Sequence, residues 1–368
     1  MPVAALFTPV AIGPLPLANR TAVAPMTRTS ATGEGLATAQ MARYYGDFAR
    51  GGFALVISEG TYTDAAAAQG YFNQPGIVTA AQAEAWKPVV AEVQGAGAAM
   101  FLQLMHAGAI AQGRPSGSQN IGPSAVQPKG EQLSFYRGSG PWAAPREITR
   151  DEIRQVVAGF VASALRAREA GFDGVEIHGA NGYLLDQFLT TDTNRRSDEY
   201  GGAVRNRVRL AEEVVRAVRD ATGPTWPVGI RLAQSKVNDF DYKWPGGVDD
   251  AQVVGRVLEA AGATFLHVTE HDVTAPAFGD GGPTLAEALK RVVSIPVIAN
   301  GGLDEPAVAA AVVSGGAADI VALGKAALAN PDWPARAQAG KPLDEFDFQL
   351  LLPLATLDNA EAWRAAQP

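Results

Sequence analysis

Short apolar runs alternate with longer helical patterns along most of this chain, and this alternation restricts the fold more than any other feature of the sequence. Such an order is typical of parallel strands joined by crossover helices. The runs are β-branched or alanine-rich and do not alternate with polar residues, as expected for strands buried on both faces. We predict eight strands, at Thr21–Thr27, Phe53–Glu59, Ala99–Met105, Asp173–His178, Pro227–Arg231, Thr264–Val268, Pro296–Ala299 and Ile320–Leu323.

Helical patterns fill the intervals between these runs. The clearest helix begins after Thr149, because Thr149 and Glu152 form a capping box that satisfies free N–H groups at a helix start. Further helices are predicted at 38–50, 80–95, 205–219, 249–261, 284–291 and 305–314. Eight strand–helix units predict an α/β protein with a closed (β/α)8 TIM barrel. An open, doubly wound sheet is the alternative.

The 368 residues are expected to form one domain, 1–368, because barrels of this type often reach that length without dividing. Two segments interrupt the strand–helix order. Residues 109–148 are rich in Gly, Pro, Ser and Gln and too long for an ordinary loop, so we predict a lid inserted after the third strand. Residues 341–368 form a tail that is expected to pack back against the barrel.

Composition narrows the classes of function. The formal charge of −8, without a lysine or arginine run, disfavours nucleic-acid binding. No stretch approaches the ~20 apolar residues of a membrane span, and an N-terminal region interrupted by prolines does not resemble a secretion signal. We therefore expect a cytoplasmic protein without nucleic-acid or membrane partners. The oligomeric state is left open.

The chain contains no cysteine, which excludes disulfides, cysteine-ligated metals and thiol nucleophiles. In a barrel of this class the active site gathers at the carboxyl ends of the strands. The residues found there are Pro25, Met26, Thr27, Glu59, Gly60, Gln103, His178, Arg231, Thr269, Asn300, Gly301, Gly302, Gly324 and Lys325. Carboxylates, which divalent cations prefer, are scarce among them, so we predict no metal site. The set suits a large neutral or anionic heterocycle.

Two groups near these strand ends carry a more specific chemistry. His178 and Asn181 donate hydrogen bonds while neutral, and Tyr183 keeps its proton at neutral pH. The three side chains therefore suit a carbonyl substrate that gains negative charge during reaction. Gly301 and Gly302 follow the seventh strand, where backbone N–H groups can approach a ligand closely, and Gly324 and Lys325 follow the eighth strand at the start of a short helix. These features predict a phosphate site in its usual place in such barrels.

The chain resembles the Old Yellow Enzyme family of FMN-dependent ene-reductases over essentially its whole length. The most specific match is HGANGYLLDQFLTTDTNRRSDEYGGAVRNRVRL, followed by LFTPVAIGPLPLANRTAVAPMTR, and FLQLMHAG, PVGIRL and VALGKAALANPDWP fit the same order and spacing. The resemblance implies a barrel that holds non-covalent FMN, reduced by NADH or NADPH. It also implies a small activated alkene as substrate, such as an α,β-unsaturated carbonyl compound, with nitro compounds as a further class.

The resemblance implies roles for individual residues as well. Those that would bind the flavin are Pro25, Met26 and Thr27 along the ring, Gly60 and Gln103 at its pyrimidine edge, Arg231 at N1, and Gly301, Gly302, Gly324 and Lys325 at the phosphate. His178 and Asn181 would bind the substrate carbonyl oxygen. Tyr183 would protonate the α-carbon after N5 of the flavin delivers hydride to the β-carbon.

The chain departs from the family pattern at three places. Lys325 stands where the family usually carries Arg, which keeps the charge but loses the bidentate fork. Met105 stands in the substrate pocket where one branch of the family carries Trp, so a roomier pocket is expected. The tail aromatics Phe346 and Phe348 do not map onto the family and receive no role.

Two other functions are weighed against the ene-reductase. A flavin-dependent amine or dienoyl-thioester oxidoreductase on a similar barrel would carry an iron–sulfur cluster, for which this chain has no cysteine ligands. A metal-dependent lyase or aldolase would need carboxylates and histidines clustered at the strand ends, a pattern that the sequence does not present. The NAD(P)H-dependent ene-reductase is therefore the function predicted.

Overall fold

The computed structural model describes residues 3–113, 119–279 and 281–366. Within these residues, eight parallel strands form a closed barrel. They are β1 (Thr21–Val23), β2 (Leu55–Ile57), β3 (Ala99–Met105), β4 (Gly174–Asn181), β5 (Val228–Lys236), β6 (Phe265–Thr269), β7 (Val297–Asn300) and β8 (Ile320–Leu323). Each strand pairs with the next in sequence, and β8 pairs with β1, with Val321 opposite Thr21. The predicted (β/α)8 barrel is confirmed.

Helices cover the outside of the barrel. Those that follow the eight strands in order are α1 (Ala39–Arg50), α2 (Ala80–Gly95), α3 (Arg150–Glu169), α4 (Arg209–Thr222), α5 (Gly247–Ala260), α6 (Leu285–Lys290), α7 (Pro306–Ser314) and α8 (Lys325–Ala329). None of the helices in the described parts of the chain is long and apolar enough to cross a lipid bilayer.

Shorter elements connect and flank these units. They are the strands Val10–Ile12, Leu15–Leu17, Thr61–Tyr62, Ile121–Gly122 and Arg146–Glu147, the 3₁₀ turns Ala4–Phe7, Gly108–Ile110, Ser134–Tyr136 and Phe348–Leu351, and the helices Leu184–Leu189, Val204–Arg207, Trp333–Ala339 and Leu357–Ala365. The predicted lid, 109–148, follows β3, and its residues 114–118 lie outside the described residues. Ala355 N–H in the tail donates to the carbonyl oxygen of Phe135 in the lid (2.9 Å), so the two segments meet.

Local sequence signals set several of these boundaries. The predicted capping box is present at the start of α3, where Glu152 N–H donates to Thr149 Oγ1 and Thr149 N–H donates to Glu152 Oε2. The strands Ala99–Met105 and Ile320–Leu323 have the predicted bounds. The helix predicted at 205–219 is divided at Val208 into the short helix Val204–Arg207 and α4.

The strand ends at the mouth of the barrel differ from those predicted. Strands β4 and β5 run to Asn181 and Lys236, beyond the predicted ends at His178 and Arg231. They continue because Lys236 pairs with Asn181 after a register shift, and this partner cannot be read from either segment alone. Strand β1 ends at Val23, so residues 24–27 leave the ladder and reach the mouth as irregular chain.

The interior of the barrel is divided into layers. An apolar plug fills the lower half, and the hairpin residues Ile12 and Leu17 cover it from below; its barrel members are Ala22, Ala24, Ala54, Leu55, Ile57, Phe101, Phe265, Ile298, Ile320 and Ala322. Gly229 leaves room for the Phe265 ring, since a Cβ at that position would overlap it. Above the plug lies a polar layer of Gln103, Glu176 and His267, all buried. Within the barrel, a cavity can therefore form only above this layer, at the carboxyl ends of the strands.

Phe101→Ala should lower the free energy of unfolding by about 3–5 kcal/mol, because it removes a fully buried ring that packs 5.5 Å from the Phe265 ring. Urea unfolding followed by far-UV circular dichroism measures this loss. The matched control is Phe240→Ala, since Phe240 is 67% exposed and its removal should leave the unfolding midpoint nearly unchanged. Equal midpoints for the two variants would contradict the layered core.

Candidate active site

A cavity of ≈350 Å³ opens at the carboxyl ends of the strands. Most of the residues predicted from the sequence line it: Pro25, Met26, Thr27, Gln103, Met105, His178, Asn181, Tyr183, Arg231, Gly324 and Lys325. Residues from β3, β4 and β5, from the segment that follows β1 and from the start of α8 thus meet around one space. Closure of the barrel produces this meeting, because it places every carboxyl end on the same rim.

A second cavity of ≈350 Å³ adjoins the first and shares Gly324 and Lys325 with it. Gly301 and Gly302, which were predicted to bind phosphate, line this second cavity. Gly301 adopts a φ of 128°, and a Cβ there would collide with the carbonyl oxygen of Glu270. Glycine is therefore required at 301, and backbone N–H groups beside the cationic Lys325 suit an anion.

Gly60 does not line either cavity. It lies behind Met105, since a Cβ on Gly60 would overlap the Met105 sulfur, and its carbonyl oxygen accepts a hydrogen bond from Gln74 Nε2 (2.6 Å). Gly60 thus permits Met105 to occupy its place on the cavity wall. Gly60 was predicted on the cavity wall because it follows the end of the second predicted strand.

His178 is a neutral donor in this structure. Burial holds the pKa of the imidazole well below its usual value, and the nearby Arg231 guanidinium lowers it further. The Nδ1 atom accepts a hydrogen bond from Ala180 N–H (3.3 Å). A neutral imidazole that accepts at Nδ1 carries its proton on Nε2, so Nε2 is the atom that donates.

Asn181 and Gly182 form a left-handed turn between His178 and Tyr183. Their φ angles are 62° and 85°, a region that asparagine and glycine tolerate better than other residues. Gly182 N–H donates to Asp186 Oδ2 (2.7 Å), which lies in the following short helix. The turn brings the side chains of Asn181 and Tyr183 to the same cavity as His178.

Tyr183 is hydrogen-bonded to a second tyrosine that the sequence analysis did not identify. The hydroxyl oxygens of Tyr71 and Tyr183 lie 2.6 Å apart, and both rings are buried. Burial raises the pKa of Tyr183 to about 12, while the hydrogen bond from Tyr71 acts in the opposite direction. Burial also raises the pKa of Tyr71 well above its usual value. Tyr71 follows β2, so its position at the rim could have been noticed, but its contact with Tyr183 depends on packing.

Arg231 supplies a buried positive charge at the floor of the cavity. Its Nη2 donates to Asn300 Oδ1 (2.7 Å) and to Thr269 Oγ1 (3.1 Å), and Thr269 itself donates to Asn300. Burial lowers the pKa of Arg231 to about 10, so it stays protonated at neutral pH. Among the described residues Arg231 Nε finds no hydrogen-bond partner. A buried donor left in this way indicates an acceptor that the chain itself does not provide.

The polar layer beneath the cavity is a hydrogen-bonded chain. Gln103 Nε2 donates to Glu176 Oε1 (2.7 Å), and Glu176 Oε2 lies 2.6 Å from His267 Nδ1. The Glu176 carboxylate also faces Arg231, whose charge it partly balances. Glu176 was not predicted as part of the site; it lies inside β4, opposite Gln103 of β3 in the ladder. No group of three or more His, Asp or Glu side chains among the described residues is arranged to hold a metal ion.

The lid and the tail supply aromatic walls. Phe135 and Tyr136 from the lid and Phe346 from the tail line the cavity, and Phe135 packs edge-on against Phe348 at 5.7 Å. Phe346 received no role from the sequence, since its contact with the mouth depends on how the tail folds back. The Lys325 ammonium lies 6.0 Å from the centre of the Phe346 ring.

Comparison with known proteins identifies the family. The profile of the NADH:flavin oxidoreductase / NADH oxidase family matches residues 5–344. The chain belongs to this family. It is similar to 12-oxophytodienoate reductase 1 of Oryza sativa subsp. japonica, at 38% identity over 93% of this chain and 88% of that protein. A probable flavin mononucleotide-dependent alkene reductase of Leishmania infantum is 36% identical over 93% of this chain and 92% of that protein.

Solved structures of the NADH:flavin oxidoreductase family share the fold. Morphinone reductase in complex with tetrahydroNAD superposes with a TM-score of 0.83 at 36% identity, covering 93% of each chain. The old yellow enzyme homologue from Zymomonas mobilis gives a TM-score of 0.86 at 33% identity, covering 96% of this chain and 99% of that one. The chain spans only about half of the NADH oxidase of Thermoanaerobacter brockii, 51% of its length, at 33% identity. The predicted Old Yellow Enzyme family and the predicted FMN-dependent, NAD(P)H-linked ene-reductase type are confirmed by these relatives.

The residues present fit the flavin mononucleotide of this family. The first cavity combines apolar and aromatic groups with His178 and Arg231. The second contains Gly301, Gly302, Gly324 and Lys325 together with the carboxylates Glu270 and Asp304. The first cavity would hold a planar ring, and the second would hold a phosphate joined to it. The buried Arg231 Nε, which lacks an acceptor among the described residues, lies at the ring end of the site.

Glu59 is a buried carboxylic acid at the end of β2, beside the residues that line the cavity. Its Oε2 accepts hydrogen bonds from the N–H groups of Arg28 (2.9 Å) and Thr29 (3.0 Å). Burial raises the pKa of Glu59 to about 7, against the opposing effect of these hydrogen bonds. The folded protein therefore binds a proton that the unfolded chain has already lost near pH 5.

Glu59→Gln should make the stability of the protein less dependent on pH. Because the folded pKa is raised, the contribution of Glu59 is fully present below about pH 4.5 and is lost as the pH rises to about 7. Relative to the variant, the wild type should lose up to roughly 3 kcal/mol between pH 5 and pH 8. Urea unfolding at both pH values measures the difference. The exposed Glu84→Gln serves as control, and parallel profiles for wild type and Glu59→Gln would contradict the assignment.

Proposed function

We propose that this protein reduces the activated C=C bond of small α,β-unsaturated carbonyl compounds, and of nitroalkenes, at the expense of NADH or NADPH. The observation that carries the proposal is the meeting of a neutral His178, Asn181 and the buried phenol of Tyr183 around one cavity above the Arg231 cation. Two neutral donors and a separate proton source are what the reduction of an enone or enal needs.

The cofactor would be held by groups from five strand ends. Pro25, Met26, Thr27, Gln103 and Arg231 would contact the flavin ring, and Gly301, Gly302, Gly324 and Lys325 would hold the phosphate. When bound, FMN supplies the hydride that it has taken from NAD(P)H. Gly60 acts indirectly in this arrangement, because it gives Met105 its place on the wall.

His178 and Asn181 would bind the substrate carbonyl oxygen. Hydride addition at the β-carbon moves negative charge onto that oxygen, and donors already directed at it stabilise the charge without reorganisation. Because burial keeps His178 neutral, its Nε2–H binds the oxygen without transferring a full proton. Removal of one such donor costs about 10²–10³-fold in rate in comparable sites.

Tyr183 would deliver the proton to the α-carbon. Burial raises the pKa of Tyr183 to about 12, so the phenol holds its proton until a carbanion-like carbon is presented to it. The phenolate left behind then accepts the short hydrogen bond from Tyr71, whose own proton is held more firmly. Tyr71 therefore stabilises the anion that Tyr183 becomes during the transfer.

The aromatic walls would exclude water from the reacting atoms. Tyr136 is fixed at the mouth, since its hydroxyl donates to the Thr27 carbonyl oxygen (3.1 Å), and Phe346 and Leu351 approach from the tail. A drier site strengthens the hydrogen bonds to the developing oxyanion. Met105 leaves an adaptable, unbranched side chain in the wall.

The test of the proposed function is direct. Protein loaded with FMN should lose its yellow absorbance on anaerobic addition of NADPH or NADH, and cyclohexenone should restore it. Consumption of the reduced nicotinamide should then depend on the enone. Protein that does not take up FMN, or that shows no reaction of the reduced flavin with any enone, enal or maleimide, would overturn the proposal.

Tyr183→Phe should slow the reaction with the alkene by about 10²-fold while reduction of the flavin by NADPH stays intact. The phenyl ring keeps the packing, but the α-carbon loses its proton source. Stopped-flow measurement of the two half-reactions separates these steps. Tyr71→Phe should slow the same step by less, since it removes only the partner of the phenolate.

The control for these variants is Tyr200→Phe, which removes the part-buried hydroxyl of another tyrosine, bonded to Glu213 outside the site. It should affect neither half-reaction. Equal slowing of both half-reactions in Tyr183→Phe would exclude a role as proton donor.

A further inference from the structure

Two buried charged side chains lie beside the carbonyl-binding turn, and the proposed reaction does not use them. Lys236 ends β5 and Asp186 lies in the helix Leu184–Leu189. Lys236 Nζ and Asp186 Oδ1 are 2.6 Å apart, and the side chains are 4% and 0% exposed. Neither residue lines the cavity that holds His178 and Tyr183.

The pair is connected to the turn by short contacts. Asp186 uses its second oxygen, Oδ2, to accept the Gly182 N–H at 2.7 Å. Lys236 pairs along the strand ladder with Asn181, and Val237 N–H donates to the Asn181 carbonyl oxygen (3.3 Å). Lys236 Nζ also donates to the Ala233 carbonyl oxygen at 3.2 Å. The carboxylate therefore bridges the cation of β5 and the backbone of the turn.

The turn needs such support. Asn181 at a φ of 62° is a non-glycine residue in a sparsely populated conformation, which persists only where the surroundings determine it. Gly182 is also left-handed, at 85°, and a Cβ there would come within 2.6 Å of Asn238 Oδ1. A small rotation of the Gly182 peptide would move the Asn181 carboxamide away from the position from which it lines the cavity.

We propose that the Lys236–Asp186 ion pair is a positioning device for substrate binding. Asp186 holds the Gly182 N–H and thereby the Asn181 carboxamide, and Lys236 fixes the orientation of the Asp186 carboxylate. The inference rests on the proposed role of His178 and Asn181 as donors to the substrate oxygen. Both Lys236 and Asp186 are positioning residues, since they act through the turn and touch no reacting atom.

The energetics of buried ion pairs support this role. Desolvation of two charges offsets most of their attraction, so a buried pair contributes little net stability compared with well-packed apolar groups. Burial raises the pKa of Asp186, and Lys236 together with the Gly182 N–H opposes that rise. The pair adds little net stability, but it determines the direction of the Asp186 carboxylate. We therefore attribute its presence to the geometry of the turn.

The test measures binding of a phenol to the FMN-loaded protein, because the oxygen of a phenolate would accept hydrogen bonds from His178 and Asn181 as the substrate oxygen would. Isothermal titration calorimetry with p-hydroxybenzaldehyde gives the Kd for wild type, for the reference variant His178→Ala/Asn181→Ala and for Asp186→Asn. We expect the Kd of Asp186→Asn to rise on the order of tenfold, the equivalent of one hydrogen bond to the ligand oxygen. The Kd for FMN, measured by fluorescence quenching, should not change.

The matched control is Asp250→Asn. Asp250 Oδ2 likewise bridges a buried cation, Arg207 Nη2 at 2.9 Å, and a glycine N–H, Gly246 at 3.1 Å, but it lies in α5 and is hydrogen-bonded to neither Asn181 nor Gly182. It should lower the melting temperature comparably and leave the phenol Kd unchanged. Hydrogen exchange of the Gly182 amide should become faster in Asp186→Asn and not in Asp250→Asn. Equal phenol affinities for the two variants would overturn the inference.

A second variant covers the case in which Asp186→Asn does not fold. Asp186→Asn/Lys236→Met leaves no unpaired buried charge, so folding should be retained while the phenol Kd stays raised. A wild-type Kd in this double variant would overturn the positioning role. Failure of the proposed function is distinguishable, because in that case the wild type itself would bind the phenol no better than His178→Ala/Asn181→Ala.

Discussion

Closure of the parallel ladder is the constraint on which the rest of this structure depends. Pairing of β8 with β1 brings the carboxyl ends of eight strands onto one rim, so that Met26 and Lys325, from opposite ends of the chain, line the same cavity. The apolar plug around Phe101 and Phe265 fills the barrel below. Inside the barrel, a ligand space can open only above the polar layer, where His178, Asn181 and Arg231 line it.

Burial also sets the protonation states of these side chains. It keeps His178 neutral and the Tyr183 phenol protonated, and it leaves the Arg231 guanidinium, with a pKa of about 10, still charged at neutral pH. Burial alone thus provides two neutral donors, the His178 imidazole and the Tyr183 phenol, above the charged Arg231 guanidinium. Glu176, hydrogen-bonded to Gln103 and His267, compensates part of that cation from below. The electrostatic balance of the site is therefore distributed over four strands, β3, β4, β5 and β6.

The turn at residues 181–183 shows how the side chains of Asn181 and Tyr183 are held at the cavity. Strand geometry places His178, but the next two functional side chains follow a left-handed break in the chain. Contacts from β5 and from Asp186 hold that break, and Tyr71, from the loop after β2, holds the Tyr183 hydroxyl. The positions of the proposed substrate-binding and proton-donating groups thus depend on neighbouring residues outside that set.

The sequence by itself determined the barrel, the capping of α3 and the membership of most of the cavity wall, because strand and helix periods are local and a barrel collects its strand ends on one rim. Only the tertiary structure decided where β4 and β5 end, that Phe346 reaches the mouth and that Tyr71 meets Tyr183. The physical reason is the range of the interactions. A periodic pattern reports which face of a segment is buried, whereas the partner of a buried side chain lies on a distant segment and is chosen by packing.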